Sequence, residues 1–197
     1  MNNIFNNSDL YPTPQETIYK MLQYFDVLDK VILEPSGGSG NIINILLQEG
    51  AKEVLYCEKS EAMQKILNGS GRFMCADFLD LKAEQISHIN AIIMNPPFSD
   101  GVKHVLHAHD IAPKGATIIS LINSSNLKNE YSNDRKQLNS LILENGSTLD
   151  LGKCFDNAER KTNVDVTLIV IKKAGESYTQ EFEGFFMDEE PEVEGVN

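Results

Sequence analysis

The chain has 197 residues, a length that suits one compact domain with its own hydrophobic core. No apolar run approaches the roughly 20 residues of a membrane-spanning helix, and the N-terminus lacks the pattern of a signal peptide. Three widely spaced cysteines, Cys57, Cys75 and Cys154, argue against a disulfide framework and against a CxxC metal site. We therefore predict a cytoplasmic protein with reduced thiols, no metal site and no membrane partner.

The net charge of −12 is unfavourable for a protein that binds nucleic acid, but the charge is unevenly distributed. Eight of the 29 acids and none of the 17 bases follow Gly175, so 21 acids and 17 bases leave residues 1–174 at −4. We predict a single domain over residues 1–174 and an acidic, flexible tail over residues 175–197. A partner-docking tail is the alternative, because residues 181–186 place three Phe among the acids.

Helix-like and strand-like segments alternate along the chain. Helical spacing begins at residues 15–25 and recurs at residues 41–50, 60–69, 81–87, 101–112 and 134–145. Apolar runs predict strands at residues 31–35, 53–58, 72–78, 89–95, 116–123, 147–155 and 164–173. Only a loop joins the last two strands, whereas helices separate the others.

This order of elements predicts the fold. Nearly continuous Ile, Leu and Val strands separated by helices indicate a mainly parallel sheet that is covered on both faces. Two successive strands joined by a loop alone indicate an antiparallel hairpin. The predicted fold is α/β, a doubly wound and mostly parallel seven-stranded sheet with an antiparallel hairpin at its edge.

A glycine-rich turn follows the first strand, over residues 34–41 with the sequence EPSGGSGN. A strand, a turn without side chains and a helix N-terminus together let a ligand touch the backbone. The spacing is neither GxGxxG nor that of a P-loop, which disfavours a pyrophosphate dinucleotide. It favours a ligand with a carboxylate, an amine and a nucleoside, whose amine Glu34 would bind.

Acidic residues also follow the next two strands. Glu58 lies about 20 residues after the turn, where a ribose diol would be bound. Asp77 is placed to accept a hydrogen bond from an adenine amino group, and Phe78 to pack on the ring. A single acid at a strand end is commonly a turn or cap residue, but three at one sheet edge indicate a binding site.

The strand over residues 89–95 ends in Asn95, which is followed by Pro96, Pro97 and Phe98. The prolines remove two backbone donors, which leaves the carbonyls near Asn95 and Pro96 free to accept hydrogen bonds, beside the Asn95 side-chain oxygen. Two acceptors aimed at one amino group would free its nitrogen lone pair to attack a methyl sulfonium. Phe98 would stack on a planar substrate such as a flipped-out base. The alternative is a proline-rich turn after a core strand.

At these residues the sequence resembles class I S-adenosylmethionine-dependent amino-methyltransferases of the N6-adenine branch. That family has an Asn/Asp-Pro-Pro-Tyr/Phe motif after a glycine-rich cofactor loop. The segment over residues 11–14, with the sequence YPTP, resembles the family's N-terminal cofactor motif, and this motif order matches the gamma arrangement. The resemblance spans roughly residues 11 to 173.

The resemblance implies S-adenosylmethionine as the cofactor. It implies catalysis at Asn95, Pro96, Pro97 and Phe98. It implies cofactor binding at Tyr11, Thr13, Pro14, Glu34, Gly38, Gly40, Glu58 and Asp77. Ser36, Phe78 and Asn95 are further candidates for cofactor binding. Adenine N6 in DNA is the substrate that the resemblance favours.

The substrate has alternatives, because sequence-specific DNA members of the family usually carry a separate target-recognition domain and this chain is too short for one. The same acceptor geometry serves adenine in RNA or a glutamine amide in a protein. A cofactor-binding or catalytic subunit that needs a separate specificity or regulatory protein is the other alternative.

Two further groups of residues are candidates. In the loop between the last two strands, Phe155 would form the second face of a base sandwich, and Arg160 and Lys161 would contact a phosphate. The alternative for the basic pair is an ordinary solvated hairpin turn. His104 and His107 share a helix face that permits a metal site, but without a convincing third ligand the helix is expected to be a surface helix. The cysteines are expected to occupy strand positions in the core, without a nucleophilic role.

Overall fold

The structure, a computed structural model, describes residues 11–129, 131–156 and 163–175. Its helices are α1 (Gln15–Leu22), α2 (Asn41–Gln48), α3 (Glu61–Leu67), α4 (Gly101–Ile111), α5 (Ser125–Lys128) and α6 (Asn133–Asn145). Its strands are β1 (Val31–Glu34), β2 (Glu53–Cys57), β3 (Arg72–Cys75), β4 (Ala91–Met94), β5 (Thr117–Asn123), β6 (Gly146–Gly152) and β7 (Val166–Lys172).

The seven strands form one sheet in the order β3-β2-β1-β4-β5-β7-β6. Strands β1 to β5 pair in parallel, and β7 is antiparallel to both of its neighbours, β5 and β6. The predicted fold is therefore confirmed. Within the hairpin it is β7, the more buried strand, that lies next to β5, and β6 forms the edge.

Each face of the sheet has its own hydrophobic core, because successive side chains of a strand point to opposite faces. In β4, Ile93 packs toward α1 and α2, whereas Ile92 and Met94 pack toward α4 and α6. All four residues of β4 are buried. Helices on both faces explain why the central strands are apolar throughout.

Several element boundaries differ from the prediction. Strand β3 ends at Cys75 because Asp77 accepts the Leu79 N–H and caps a 3₁₀ turn over Phe78–Asp80. The helix expected at residues 81–87 is only a 3₁₀ turn over Ala83–Gln85. Strand β6 ends at Gly152 rather than at residue 155, and α5 was not expected.

The three cysteines are free thiols in different surroundings. Cys57 is buried in β2, and Cys75 lies partly buried opposite it in β3, with the two Sγ atoms 3.5 Å apart. Cys154 lies in the turn after β6, so the expectation of a strand position was wrong for this residue.

Within the described ranges, none of the helices is both long and apolar enough to cross a bilayer. The predicted acidic tail lies outside the described residues, except for its first residue.

Candidate functional site

Four polar side chains follow four neighbouring strands at one edge of the sheet. In spatial order these are Asp77 after β3, Glu58 after β2, Glu34 at the end of β1 and Asn95 after β4. The chain winds away from β1 in both directions along the sheet, and such a switch point is where doubly wound folds bind ligands. All four residues line one pocket.

The glycine-rich turn forms the floor of this pocket beside β1. Gly40 has φ of +87° at the start of α2, and a Cβ atom there would lie 2.9 Å from Cδ2 of Leu67. The Gly38 N–H donates to Oε2 of Glu58 at 2.7 Å, while Oε1 of Glu58 accepts the Ser60 N–H at 2.7 Å. Each carboxylate oxygen has a further lone pair, so Glu58 can hold the turn and still accept from ligand hydroxyls.

Glu34 is a buried carboxyl group, only 1% exposed, and its Oε1 accepts the Ser36 N–H at 2.8 Å. Burial raises its pKa to about 8; the Ser36 hydrogen bond offsets part of this shift, and the nearby charge of Glu58 adds to it. The group is therefore mostly neutral at pH 7. A ligand ammonium group at this position would replace the lost hydration and favour ionisation, as an amine-binding role requires.

The pKa of Asp77 is shifted in the opposite direction to that of Glu34. Its pKa is lowered, first by the Leu79 N–H at 3.0 Å and then by Lys59, whose Nζ lies 3.1 Å from Oδ2. The side chain is therefore an ionised acceptor at the pocket rim. The neighbouring Phe78 is only 2% exposed, and its ring packs against His104 and His107 at centroid distances of 5.6 and 4.9 Å. Its ring therefore supports the pocket wall instead of presenting a face to a ligand.

His104 lines the same pocket and is buried, so the expected surface helix was wrong for this residue. Burial is the main cause of its lowered pKa. Its Nδ1 lies 3.1 Å from the Asp100 carbonyl, which only accepts, so the neutral ring is protonated at Nδ1 and Nε2 is an acceptor. The helical spacing of His104 with Gly101, Val105 and Ala108 was the sequence signal of its burial.

Asn95 is held by the N-terminal segment. Its Nδ2 donates to the Tyr11 carbonyl at 3.1 Å and to Oγ1 of Thr13 at 3.0 Å. Its Oδ1 is buried and has no hydrogen-bond partner among the described residues. A buried acceptor without a donor costs roughly 1–3 kcal/mol, and this oxygen is free to accept a hydrogen bond from a ligand N–H.

Next to Asn95, three aromatic rings pack together. The centroid of Phe98 lies 5.6 Å from that of Tyr11 and 5.9 Å from that of Phe155. Phe98 is partly exposed and lines the pocket, whereas Phe155 is fully buried. The second face of a base sandwich that was expected from Phe155 is therefore not formed, and Phe155 instead supports Phe98 edge-on.

The pocket brings together most of the residues that the sequence singled out. They are Tyr11, Thr13, Glu34, Ser36, Gly38, Glu58, Asp77, Phe78, Asn95, Pro96, Pro97 and Phe98. Pro14 instead caps α1, and Gly40 shapes the start of α2, so neither lines the pocket. Arg160 and Lys161 lie outside the described residues.

The predicted site residues leave out twelve others that line the pocket, among them Asn41, Lys59, Leu79 and His104. Apart from the helical spacing of His104, their residue types carried no signal that would have separated them from ordinary cap or surface positions. No group of three or more His, Cys, Asp or Glu side chains suited to a metal ion occurs in the part of the chain that the structure describes.

No protein-family model and no curated protein sequence matches the chain. Among solved structures, an RNA methyltransferase from Salinibacter ruber in complex with S-adenosyl-L-homocysteine superposes with a TM-score of 0.57 at 15% identity, covering 83% of this chain and 94% of that one. A dimethyladenosine transferase from Plasmodium falciparum gives 0.60 at 11% identity, covering 83% and 63%. An O-methyltransferase from Bacillus cereus, also with S-adenosylhomocysteine, gives 0.61 at 14% identity, covering 83% of each chain. The chain thus has the fold that these methyltransferases share.

Proposed function

We propose that this protein is an S-adenosylmethionine-dependent methyltransferase that modifies an exocyclic amino group, with adenine N6 in DNA as the leading substrate. The observation that carries the proposal is the buried, unpartnered Oδ1 of Asn95. The shared fold supports the reaction class, and two of the superposed methyltransferases are complexes with S-adenosylhomocysteine.

The residues of the pocket suit this cofactor. Glu34 would bind the ammonium group of its methionine part, the backbone near Gly38 would approach it closely, Glu58 would accept from the ribose hydroxyls, and Asp77 would accept from the adenine amino group. When bound, S-adenosylmethionine supplies an electrophilic methyl group on a sulfonium.

In the proposed mechanism, Asn95 activates the amino group. Oδ1 would accept one N–H, and the carbonyl of Pro96, which lines the same pocket, would accept the other. The nitrogen lone pair would then be available as the nucleophile toward the methyl group that the cofactor supplies. Both acceptors stabilise the positive charge that develops on nitrogen, and its extra proton leaves to water afterwards.

The half-buried ring of Phe98 favours a planar acceptor. A base stacked on Phe98 would bring its amino group toward Asn95, three residues earlier in the same turn. Adenine in RNA is the second candidate, supported by the likeness to an RNA methyltransferase and a dimethyladenosine transferase. A glutamine amide of a protein is the third, because it presents the same NH₂ group.

A catalytic subunit that needs a separate specificity or regulatory protein is the alternative to an enzyme that acts alone. Residues 1–174 carry a net charge of −4, whereas binding to phosphates requires basic surface. A partner with a basic surface would bind the phosphate backbone of the nucleic acid, and this chain would then act as the catalytic subunit.

The reaction is tested with methyl-labelled S-adenosylmethionine and, separately, duplex DNA, single-stranded DNA, RNA and protein extract. We expect label in one nucleic acid and, after hydrolysis, N6-methyladenine.

Asn95→Ala should lower the turnover number by about 100-fold or more, as does the loss of one oxyanion-hole donor. Asn44→Ala, at an exposed position of α2, is the matched control. Undiminished transfer by Asn95→Ala would falsify the mechanism.

A further inference from the structure

We propose that Thr13 is a positioning residue, whose hydroxyl sets the orientation of the Asn95 amide and so aims Oδ1 at the amino group of the substrate. The proposal rests on the proposed function of Asn95. The sequence resemblance implied only that Thr13 contacts the cofactor, and the positioning role goes beyond that contact.

The orientation of the amide follows from its two partners. The Tyr11 carbonyl only accepts hydrogen bonds, so it requires Nδ2 rather than Oδ1 on its side at 3.1 Å. Oγ1 of Thr13 accepts the second N–H at 3.0 Å. Both hydrogens of Nδ2 are thereby used, and Oδ1 is left as the acceptor for a ligand.

Two hydrogen-bond acceptors for the NH₂ group fix the plane of a side-chain amide, whereas a single acceptor lets the amide rotate. With Tyr11 alone, the Asn95 side chain can pivot about the remaining hydrogen bond, and the direction of Oδ1 is no longer defined. Tyr11 contributes a main-chain oxygen, so among the described residues Thr13 is the only side chain whose substitution removes one of these bonds. A misdirected acceptor lowers the rate because the bound amino group is no longer aligned for attack.

Thr13 is itself held firmly enough to act as a reference point. It is buried, and its carbonyl accepts from Nδ2 of Asn41, the first residue of α2, at 3.1 Å. The next residue, Pro14, caps α1, which packs into the core through Ile18 and Met21. The hydroxyl is therefore anchored to both α1 and α2.

Three substitutions test the proposal. Thr13→Val keeps the shape of the side chain and removes the acceptor, whereas Thr13→Ser keeps the hydroxyl. Thr17→Val is the matched control, because Thr17 is equally buried, lies one turn further along, bonds to Cys154 and does not line the pocket.

The first readout needs no activity. The side-chain NH₂ of Asn95 is assigned in a ¹H–¹⁵N spectrum by its loss in Asn95→Ala. We expect Thr13→Val to speed the hydrogen exchange of this group by about 10-fold or more, and Thr13→Ser and Thr17→Val to leave it slow. Unchanged Asn95 signals in Thr13→Val overturn the proposal, even if no methyl acceptor is ever found.

The second readout is kinetic. We expect Thr13→Val to lower kcat by between about 10-fold and 100-fold, with rescue by Thr13→Ser, while the affinity for S-adenosylhomocysteine changes by less than about 2-fold. Loss of that affinity with kcat preserved shows that Thr13 only binds the cofactor, and overturns the positioning role. A wild-type protein that binds S-adenosylhomocysteine but methylates none of the substrates supports the need for a partner protein, whereas one that does not bind S-adenosylhomocysteine refutes the proposed function. In both cases the exchange measurement still decides the role of Thr13 in orienting Asn95.

Discussion

At the scale of single residues, the pocket contains two buried polar groups at the ends of adjacent strands, and each lacks one of its interaction partners. Glu34 is a carboxyl whose charge lacks a counterion, and Asn95 is an amide whose oxygen lacks a donor. Buried polar groups without partners are typical of binding sites, because the ligand supplies the missing counterion or hydrogen-bond donor. Both residues are therefore expected to destabilise the ligand-free protein.

The charge of Glu34 should make the ligand-free protein less stable as the pH rises. Its pKa is about 8 in the folded state against 4.5 for an ordinary Glu, so the folded state binds more protons between these values. The free energy of unfolding should fall through this window, by up to about 1.4 kcal/mol per pH unit. Urea unfolding between pH 6 and pH 8 measures the slope.

Glu34→Gln removes this titration and keeps an oxygen for the Ser36 N–H. The variant should show a flatter pH dependence and exceed the wild type in stability at pH 8. Glu84→Gln, at an exposed position, controls for the loss of one negative charge. Equal slopes for the wild type and Glu34→Gln would contradict the shifted pKa.

At the scale of elements, the start of α2 is the most constrained part of the site. Gly40 has a left-handed φ, and a Cβ there would press on Leu67 of α3. The same turn donates the Gly38 N–H to Glu58 after β2. The turn thus fixes the relative positions of β1, β2 and α2, as close approach of a ligand to the backbone requires.

Gly40→Ala should therefore reduce stability and cofactor affinity together. The left-handed conformation alone costs about 1–2 kcal/mol for a residue with a Cβ, and the 2.9 Å contact with Leu67 adds to it. Gly69→Ala is the matched control, since Gly69 has φ of +89° and nothing within 4 Å of the added Cβ. A larger loss in Gly40→Ala than in Gly69→Ala, in both unfolding and S-adenosylhomocysteine titrations, is the expected result.

The strands and the strand-end acids could be predicted from sequence because both depend on local patterns. Alternation and apolar runs identify the strands, and parallel pairing then brings Glu34, Glu58 and Asp77 to one edge. The partners of Asn95 could not be predicted, since Tyr11 and Thr13 lie 84 and 82 residues away in the chain. The burial of Phe155 depends in the same way on long-range packing with Tyr11 and Phe98.

At the scale of the whole molecule, the distribution of charge matters most for the proposed substrate. The pocket opens at the carboxyl edge of a domain that is nearly balanced in charge, whereas residues 176–197 carry eight acids and no base. Phosphate backbones are repelled by such a segment over about one Debye length, roughly 10 Å at 0.1 M salt. The acidic segment should therefore weaken nonspecific contact with nucleic acid.

Truncation after Gly175 changes the formal charge from −12 to −4 and should raise the affinity for duplex DNA, most clearly at low salt. A full-length variant with the eight acids replaced by Gln or Asn separates charge from docking, because it keeps the Phe residues of the segment. Fluorescence anisotropy across a salt series measures both proteins. Equal gains in affinity indicate repulsion by charge, and a gain on truncation alone indicates that the segment competes for the binding surface. If neither protein binds more tightly than the wild type, the acidic segment does not control access of nucleic acid to this domain.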